Sequence, residues 1–248
     1  MIYLNSTLIA RASLAQSILR LHNPLQSLSL LRHSSSSTTS PPSTPESASQ
    51  NHHDLPSFLA HAARTSLSPT STVYTGTHYE YTVLTSLRNY GFDLTRIGGS
   101  NDFGVDLVGT WSVIPSTSTY RPQPIRTIVQ CKALKKKAGP NLIRELEGSF
   151  AGAPVGWRGD GVFGVLATTR EATKGVREAL AKSRYPLVWI LAEQDGGKVR
   201  QCLWNHRAME NGLEGLGVRV RYGGGEEVDG SVVLTWDGEE MDTKLKEG

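Results

Sequence analysis

Three polar side chains on two predicted strands have the types and spacing that could form a site for a divalent cation. Asp106 lies within an apolar run, residues 105–108, and Gln130 and Lys132 end a second run that is rich in β-branched residues. Side chains alternate between the faces of a strand, so Gln130 and Lys132 share one face and Cys131 takes the other. Mg²⁺ prefers a few oxygen ligands with several waters, and a neighbouring lysine can stabilise charge that develops on a substrate. The pattern therefore predicts a site for a hard cation with a lysine beside it.

The elements that must position these residues are indicated by the apolar periodicity. Tyr79, Val83 and Leu87 recur on one face of a predicted helix. Three strands, a helix, a buried strand, a second helix and a further buried strand follow. They lie at residues 92–97, 105–108, 127–132, 141–150, 161–168, 169–183 and 187–191. This order predicts an α/β core with a central mixed β-sheet flanked by helices.

The sequence around these residues resembles the PD-(D/E)xK nuclease superfamily, in the branch similar to the Mrr-type restriction endonucleases. The resemblance covers about residues 74–191. It rests on YEY at 79–81, NYGF at 89–92, DFGVDL at 102–107, IVQCK at 128–132 and REL at 144–146. Within the superfamily the chain is similar to the fungal mitochondrial family required for respiratory growth, a likeness to which LWN at 203–205 and GLEGL at 212–216 add. The resemblance implies a restriction-endonuclease-like core and a metal-dependent nuclease.

The resemblance also implies roles for four residues. Asp106, Gln130 and Glu80 would hold Mg²⁺ or Mn²⁺, and Lys132 would position the attacking water or stabilise the developing charge. Gln130 stands where many members of the superfamily carry glutamate, and a neutral amide is the weaker ligand. For Glu80 there is a second interpretation, because Thr77 and Glu80 are three residues apart, as in a capping box at a helix start.

A run of basic residues surrounds the second strand of this site. Between Leu107 and Arg144 the sequence contains no Asp or Glu. The residues assigned here to contact with the phosphate backbone of DNA are Arg126, Lys135, Lys136, Lys137 and Arg144. A solvated face without a ligand is the equally open alternative.

The N-terminal region has the composition of a targeting segment. Residues 1–45 contain three arginines and no acidic residue, and leucines and an isoleucine recur at spacings of three and four. We therefore expect residues 1–33 to be a mitochondrial transit peptide and the protein to reside in the mitochondrial matrix, with a merely disordered N-terminus as the alternative. Residues 34–73 are rich in Ser, Thr and Pro and predict a flexible linker, within which residues 54–64 could form a short helix.

The folded part of the chain is predicted to consist of two regions. Residues 74–193 would form the Mrr-like nuclease-fold domain, and residues 194–248 a C-terminal α+β extension packed on it. The predicted elements of the extension are strands at residues 199–203, 218–222 and 231–236 and a helix at residues 207–213.

Composition excludes several classes of protein. The chain of 248 residues has 26 basic and 23 acidic residues, and without the three arginines of residues 1–45 the two counts are equal. The global charge therefore does not indicate a nucleic-acid partner. Two cysteines provide neither a disulfide framework nor a set of zinc ligands. No segment has the roughly 18 apolar residues that are needed to span a bilayer.

Three functions are compatible with these observations. The first is a mitochondrial DNA nuclease that acts in the genome maintenance on which respiration depends. The second is a non-catalytic nucleic-acid-binding protein on a nuclease fold, with Gln130 marking the loss of turnover. The third is an assembly factor for respiratory complexes that has no contact with nucleic acid.

Overall fold

The part of the chain that can be placed begins at residue 51. The computed structural model describes residues 51–98, 104–113, 123–222 and 230–241, all of which belong to one compact unit. The predicted transit peptide and residues 34–50 of the predicted linker lie outside the described residues.

Helices and strands alternate through the first two thirds of the described chain, and strands dominate the last third. The helices are α1 (Leu55–Arg64), α2 (Thr72–Arg88), α3 (Asn141–Gly152), α4 (Lys174–Lys182) and α5 (His206–Ala208), which continues into a π-helical turn, Met209–Leu213. The strands of the first sheet are β1 (Phe92–Arg96), β2 (Leu107–Trp111), β3 (Ile125–Lys132), β4 (Val162–Thr168), β5 (Leu187–Ala192) and β6 (Val199–Trp204). The second sheet contains β7 (Leu216–Arg221), β8 (Ser231–Trp236) and β9 (Glu239–Glu240).

The first sheet has its strands in chain order, β1 to β6. Strands β3, β4 and β5 are parallel, and the pairs β1–β2, β2–β3 and β5–β6 are antiparallel. The predicted α/β core with a central mixed sheet is confirmed. Strand β6, which follows the domain boundary predicted at residue 193, belongs to this sheet as the antiparallel partner of β5.

Each face of the sheet is covered by a different set of elements. Helix α2 contributes Tyr79, Val83 and Leu87 to a core with alternate residues of the strands, including Val129. On the opposite face α3 and α4 pack against Ile128 and its equivalents in the other strands. The all-buried strand β4 lies between the two cores, which is why its sequence is continuously apolar.

Helix α2 begins earlier than the sequence indicates. The N-cap is Ser71, whose hydroxyl accepts a hydrogen bond from the backbone N–H of Tyr74 at 3.1 Å. Thr77 is therefore a buried residue inside the helix and not its cap. The capping-box interpretation of the pair Thr77 and Glu80 is wrong.

The predicted linker ends before helix α1. Asp54 caps this helix through a capping box with Ser57, and the buried residues Phe58 and Ala62 pack against Tyr81 of α2. The short helix anticipated at residues 54–64 is therefore present, and its apolar side is buried.

The second sheet shares a core with the first. Val232 and Leu234 of β8 are buried in the same cluster as α2, and the Tyr90 hydroxyl donates a hydrogen bond to the Val232 carbonyl oxygen at 3.0 Å. Among the described helices, none has both the length and the apolar character that a bilayer crossing requires.

Candidate active site

Asp106 is fixed by hydrogen bonds at the point where strand β2 begins. Its backbone N–H donates to the Val129 carbonyl oxygen at 2.9 Å, and its own carbonyl oxygen accepts from the N–H groups of Ile97 and Gly98, each at 2.8 Å. The side-chain Oδ2 accepts from the backbone N–H of Cys131 at 2.6 Å. This N–H lies beyond the last paired residues of β2 and β3, so the carboxylate takes the place of a strand partner. Asp106 is thereby held against the end of β3.

Gln130 is buried in β3, directly before the residue whose N–H binds this carboxylate. It lies one residue beyond Val129, which pairs with Leu107, the residue after Asp106. Its side chain is 4% exposed, and its Oε1 atom is buried and has no hydrogen-bond partner among the described residues. Leaving such an atom unpaired costs about 1–3 kcal/mol, so a buried orphan marks a place that a water or an ion would fill. Gln130 therefore offers a second oxygen donor next to Asp106.

The amide nitrogen of Gln130 points to Gly104. A Cβ atom at Gly104 would lie 2.9 Å from Nε2 of Gln130, and the backbone there has a φ of +82°. Both the close approach and the left-handed backbone require glycine at this position. The absence of a side chain at Gly104 thus leaves room for the side chain of Gln130.

Lys132 extends from the same face of β3 as Gln130, as the period of two predicts. Its Nζ lies 3.5 Å from Oε2 of Glu145 on α3, and the other carboxylate oxygen of Glu145 accepts from Nδ2 of Asn141 at 2.9 Å. The Lys132 side chain is 33% exposed, so the pair is accessible to a ligand. Sequence reasoning assigned no role to Glu145. The spacing of Asn141 and Glu145, four apart on a helix that follows the lysine strand, was the available signal.

Glu80 lies near Asp106, but the Glu80 carboxylate forms an ion pair with Arg96. Its Oε2 accepts from Nε of Arg96 at 2.5 Å, and the two side chains are 14% and 10% exposed. A Cβ atom at Gly98 would lie 3.3 Å from this oxygen and 3.3 Å from Cα of Asp106, which places the carboxylate close to the Asp106 backbone. Replacing Glu80 would leave a buried guanidinium unpaired, a change that costs about 3–5 kcal/mol.

Arg96 is a second residue that the sequence analysis missed. In β1 the residues Phe92, Leu94 and Arg96 alternate with exposed or half-buried ones, so the arginine occupies a buried position of the strand. A buried arginine needs an acidic partner, and this was a readable signal for its pairing with Glu80. The ring of Tyr81 lies 5.5 Å from Cζ of Arg96 and adds a cation–π contact.

Cys131 lies between these charged groups on the α2 face of the sheet. Burial raises the pKa of its thiol well above the usual value, and the Asp106 and Glu80 carboxylates raise it further against the opposing effects of Arg96 and Lys132. The thiol is therefore protonated at neutral pH. The side chain packs against the α2 core as a small, partly buried residue.

The predicted DNA contacts do not form one group. Arg126 is at the start of β3, six residues before Lys132, which is a distance of about 20 Å along a strand. Its guanidinium donates to the carbonyl oxygens of Gly156 and Asp160 at 2.7 and 2.8 Å, so it anchors a loop and is separate from the site. Exposed side chains near the end of β3 belong to Lys135, Lys136, Lys137 and, on α3, Arg144.

The donor set of the site fits a divalent cation that keeps several of its waters. Among the described residues, no group of three or more His, Cys, Asp and Glu side chains could hold a metal ion. The oxygen donors at hand are the Asp106 carboxylate and the orphan Oε1 of Gln130. Mg²⁺ in enzymes that act on phosphates is commonly bound by one or two carboxylates, with waters and substrate oxygens as the other ligands. One carboxylate and one amide oxygen fit such an open coordination and do not form a closed cage.

Comparison with known proteins identifies relatives in fungi. The family described as Required for respiratory growth protein 7 matches residues 71–222. A protein of Schizosaccharomyces pombe that is named as mitochondrial is 35% identical over 160 residues, which are 64% of this chain and 61% of that protein. The mitochondrial Required for respiratory growth protein 7 of Vanderwaltozyma polyspora is 33% identical over 118 residues, with 33% of this chain and 47% of that protein covered. Its namesake in Saccharomyces cerevisiae strain S288c is 26% identical over 175 residues, with 56% and 72% covered.

The similarities cover only part of this chain and part of each related protein. The chain spans less than two thirds of the length of the first two relatives. Among solved structures, a similar chain is that of MspJI Restriction Endonuclease in Complex with 27-mer Oligonucleotide, at 20% sequence identity and a TM-score of 0.32. The match covers 59% of this chain and 32% of that one. A superposition of that extent does not define a common fold.

Proposed function

Because the matched residues, 71–222, are more than half of it, the chain belongs to the Required for respiratory growth protein 7 family, and we propose that it acts in mitochondria as a metal-dependent DNA nuclease on which respiratory growth depends. The mitochondrial address and the respiratory role are taken from the names of its relatives. The nuclease activity is taken from the site at the end of β3 and from the resemblance of its motifs to the Mrr-like PD-(D/E)xK nucleases.

One observation carries the nuclease proposal. The buried Oε1 of Gln130 has no partner among the described residues, and Gln130 lies in β3 directly before Cys131, whose N–H binds the Asp106 carboxylate, and two residues before Lys132. A purely structural glutamine in a packed core is normally hydrogen-bonded, since burying an unpaired amide oxygen is costly. A buried amide oxygen without a hydrogen-bond partner, on the strand that fixes the Asp106 carboxylate, supports a site for a cation.

Each residue of the site has a distinct part in this proposal. Asp106 and Gln130 hold the cation, which supplies the Lewis acid for attack of water on a phosphodiester. Lys132 binds a non-bridging phosphate oxygen and stabilises the charge that develops there. Glu145 holds the lysine in place before the substrate arrives, because its carboxylate is itself oriented by Asn141. Glu80 keeps Arg96 neutralised and contributes negative charge near Asp106.

The direct test is cleavage of DNA by the purified full chain. Supercoiled plasmid, linear duplex and single-stranded DNA are each incubated with Mn²⁺ or Mg²⁺, and parallel samples contain EDTA. We expect nicks or shortened strands only in the samples with free metal. If the folded protein binds DNA but produces no cleavage with either metal and any DNA form, the proposal of a nuclease is wrong.

Gln130→Glu is expected to tighten Mn²⁺ binding by roughly tenfold. The substitution keeps the length of the side chain and gives the cation a second carboxylate beside Asp106, and hard cations bind carboxylates more strongly than amides. Isothermal titration of the full chain with Mn²⁺ measures the change. Gln123→Glu, at an exposed position before β3, adds the same charge away from the site and serves as the control. Equal affinities for the wild type and Gln130→Glu would show that Gln130 is not a ligand.

A second function is favoured by the pairing of Glu80 with Arg96. This pairing neutralises the charge of Glu80 and weakens it as a second ligand for a cation, which suits a protein that binds DNA without cutting it. In that case the basic residues after β3 would carry the function. The plasmid experiment separates the two functions, because a binding protein retards the DNA and leaves it intact.

Replacing Lys135, Lys136 and Lys137 by alanine is expected to flatten the salt dependence of DNA binding. Each neutralised phosphate contributes about −0.9 to the slope of log affinity against log salt on duplex DNA, so the triple variant changes the slope by up to about 3. Fluorescence anisotropy at several salt concentrations measures it. Lys182→Ala, at the exposed end of α4, is the matched control. An unchanged slope in the triple variant would mean that these lysines form a solvated face.

A further inference from the structure

A cleft opens at the edge of the sheet where the parallel strands end. Its volume is about 730 Å³, and it lies between α2 and the segments that follow β3, β4 and β5. The lining side chains that matter below are Tyr74 and His78 of α2, Lys135, Arg170, Glu193 and Asp195. Crevices at the carboxyl ends of the strands are where open α/β sheets bind their ligands. Of the residues discussed above, Lys135 lines this cleft, whereas Asp106, Gln130 and Lys132 do not.

One wall of the cleft consists of aromatic side chains that pack against neighbouring rings. The rings of Tyr74 and His78 are stacked, with their centroids 5.8 Å apart and an angle of 20° between their planes. Phe58 of α1 packs behind Tyr74 at a centroid distance of 5.3 Å. Both rings of the stack are half-buried, so each is held by the protein while part of its surface is accessible. A fixed aromatic surface of this kind suits a flat ring such as a nucleobase.

The opposite rim is cationic. Arg170 donates from Nε to the Leu134 carbonyl oxygen at 3.1 Å and from a terminal nitrogen to the Lys135 carbonyl oxygen at 3.2 Å. The arginine thereby fixes the backbone after β3 while it stays exposed, and the Lys135 side chain is exposed beside it. Two positive groups on a fixed loop suit a phosphate.

The acidic residues of the cleft limit how a phosphate can lie. Glu193 is paired with Arg200, whose Nε is 2.7 Å from the carboxylate. Asp195 is exposed at the side of the cleft that the β5–β6 connection forms, whereas Lys135 and Arg170 belong to the segments after β3 and β4. A phosphate is therefore repelled from the Asp195 side and attracted to the side of Lys135 and Arg170.

The cleft and the candidate active site are formed in part by residues that are close together in the sequence. Lys135 is three residues after Lys132, so their Cα atoms are at most about 11 Å apart. The Lys132 side chain leaves β3 toward α3, whereas the cleft opens on the side of α2. A strand that passes from one to the other crosses the rim of the sheet, where Lys136 and Lys137 are exposed.

From these observations we propose that the cleft binds one unstacked nucleotide of a single-stranded DNA segment, next to the phosphate that lies at Lys132. Its base packs on the rings of Tyr74 and His78, and its phosphate lies between Lys135 and Arg170. This inference rests on the proposed function and specifies its substrate: a base inside the cleft is neither stacked nor paired, so single strands and frayed ends are bound in preference to intact duplex.

The test uses fluorescence anisotropy with a labelled single-stranded DNA of 12 nucleotides and a hairpin duplex of the same sequence. The full chain is titrated in EDTA, so that no cleavage takes place. The wild type is expected to bind the single strand more tightly than the duplex. His78→Ala is expected to weaken single-strand binding about tenfold and to leave duplex binding unchanged, because only the unstacked base uses the ring. His78→Phe, which retains a flat ring, is expected to restore most of the affinity.

Several controls separate the cleft from folding and from the active site. Thermal unfolding shows whether each variant is folded, and His206→Ala, at an exposed position of α5, controls for loss of a histidine. Asp106→Asn is expected to lose Mn²⁺ binding and to keep its preference for the single strand. Equal loss of single-strand and duplex affinity in His78→Ala, or no rescue by His78→Phe, would overturn the proposed cleft even if the wild type cleaves DNA. Intact single-strand preference without any metal-dependent cleavage would support the cleft and overturn the nuclease.

Discussion

Lys132→Ala is expected to slow DNA cleavage by the full chain about a hundredfold or more, a loss typical of removing one group that stabilises the charge of a transition state. Mn²⁺ binding should remain close to that of the wild type, because the oxygen donors are on Asp106 and Gln130. Single-turnover cleavage and isothermal titration measure the two quantities on the same preparation. The lysine is half-exposed and its ion pair with Glu145 is accessible to solvent, so its removal should have little effect on folding.

Asp106→Asn is the matched variant for the metal. Asparagine keeps an oxygen that can accept the hydrogen bond from the Cys131 N–H, so the end of β3 should stay in place while the negative charge is lost. We expect loss of both Mn²⁺ binding and cleavage. Lys182→Ala should behave as the wild type in both assays. If Lys132→Ala and Asp106→Asn are folded and cleave DNA at the wild-type rate, the nuclease activity does not reside at this site.

Gly109→Ala is expected to destabilise the fold by about 3 kcal/mol or more, at or above the upper end of the usual range for overpacking. A Cβ atom at Gly109 would lie 1.9 Å from the Asp93 carbonyl oxygen and 2.8 Å from Cα of Leu94. Both contacts are with the backbone of β1, so no rotation of a side chain can relieve them. Because β1 carries Arg96 and β2 begins beside Asp106, separation of the two strands would also disturb the site. Thermal and denaturant unfolding measure the loss.

Gly148→Ala is the control for this substitution. Gly148 is exposed within α3, and a Cβ atom there would meet nothing within 4 Å. Alanine in place of glycine in an exposed helix interior stabilises a protein by up to about 1 kcal/mol. The two Gly→Ala changes are thus expected to have opposite signs. A midpoint for Gly109→Ala equal to that of the wild type would show that β1 and β2 are not packed as closely as described.

The sequence pattern was sufficient to predict the arrangement of the site strand and of its neighbours. In β3 the alternation of side chains predicted Gln130 and Lys132 on one face and Cys131 on the other, and in the structure Lys132 faces α3 while Cys131 packs against the α2 core. The continuous apolar runs of β4 and β5 indicated central strands, which they are. These features depend on local periodicity, and local periodicity is readable from one sequence.

The partners of the charged residues were not readable in the same way. Glu80 and Arg96 are 16 residues apart, and Arg126 donates to carbonyl oxygens 30 and 34 residues away. Such contacts depend on which loops the fold brings together, so a basic residue in an acid-free window could be a DNA contact or an anchor. Helix α1 was anticipated at residues 54–64, but its packing on Tyr81 was not, because that contact depends on the tertiary fold.

The position of β6 at the edge of the first sheet has a consequence for solubility. Strand β5 reads LVWILA, six buried residues without a charge, a proline or a glycine, and such a segment with an open edge is a template for aggregation. Its outer edge is occupied by β6, whose VRQCLW sequence carries Arg200 and Gln201. A chain that ended after β5 would expose this edge. Strand β6, with its polar residues, covers this edge and thereby hinders pairing of β5 with a second chain.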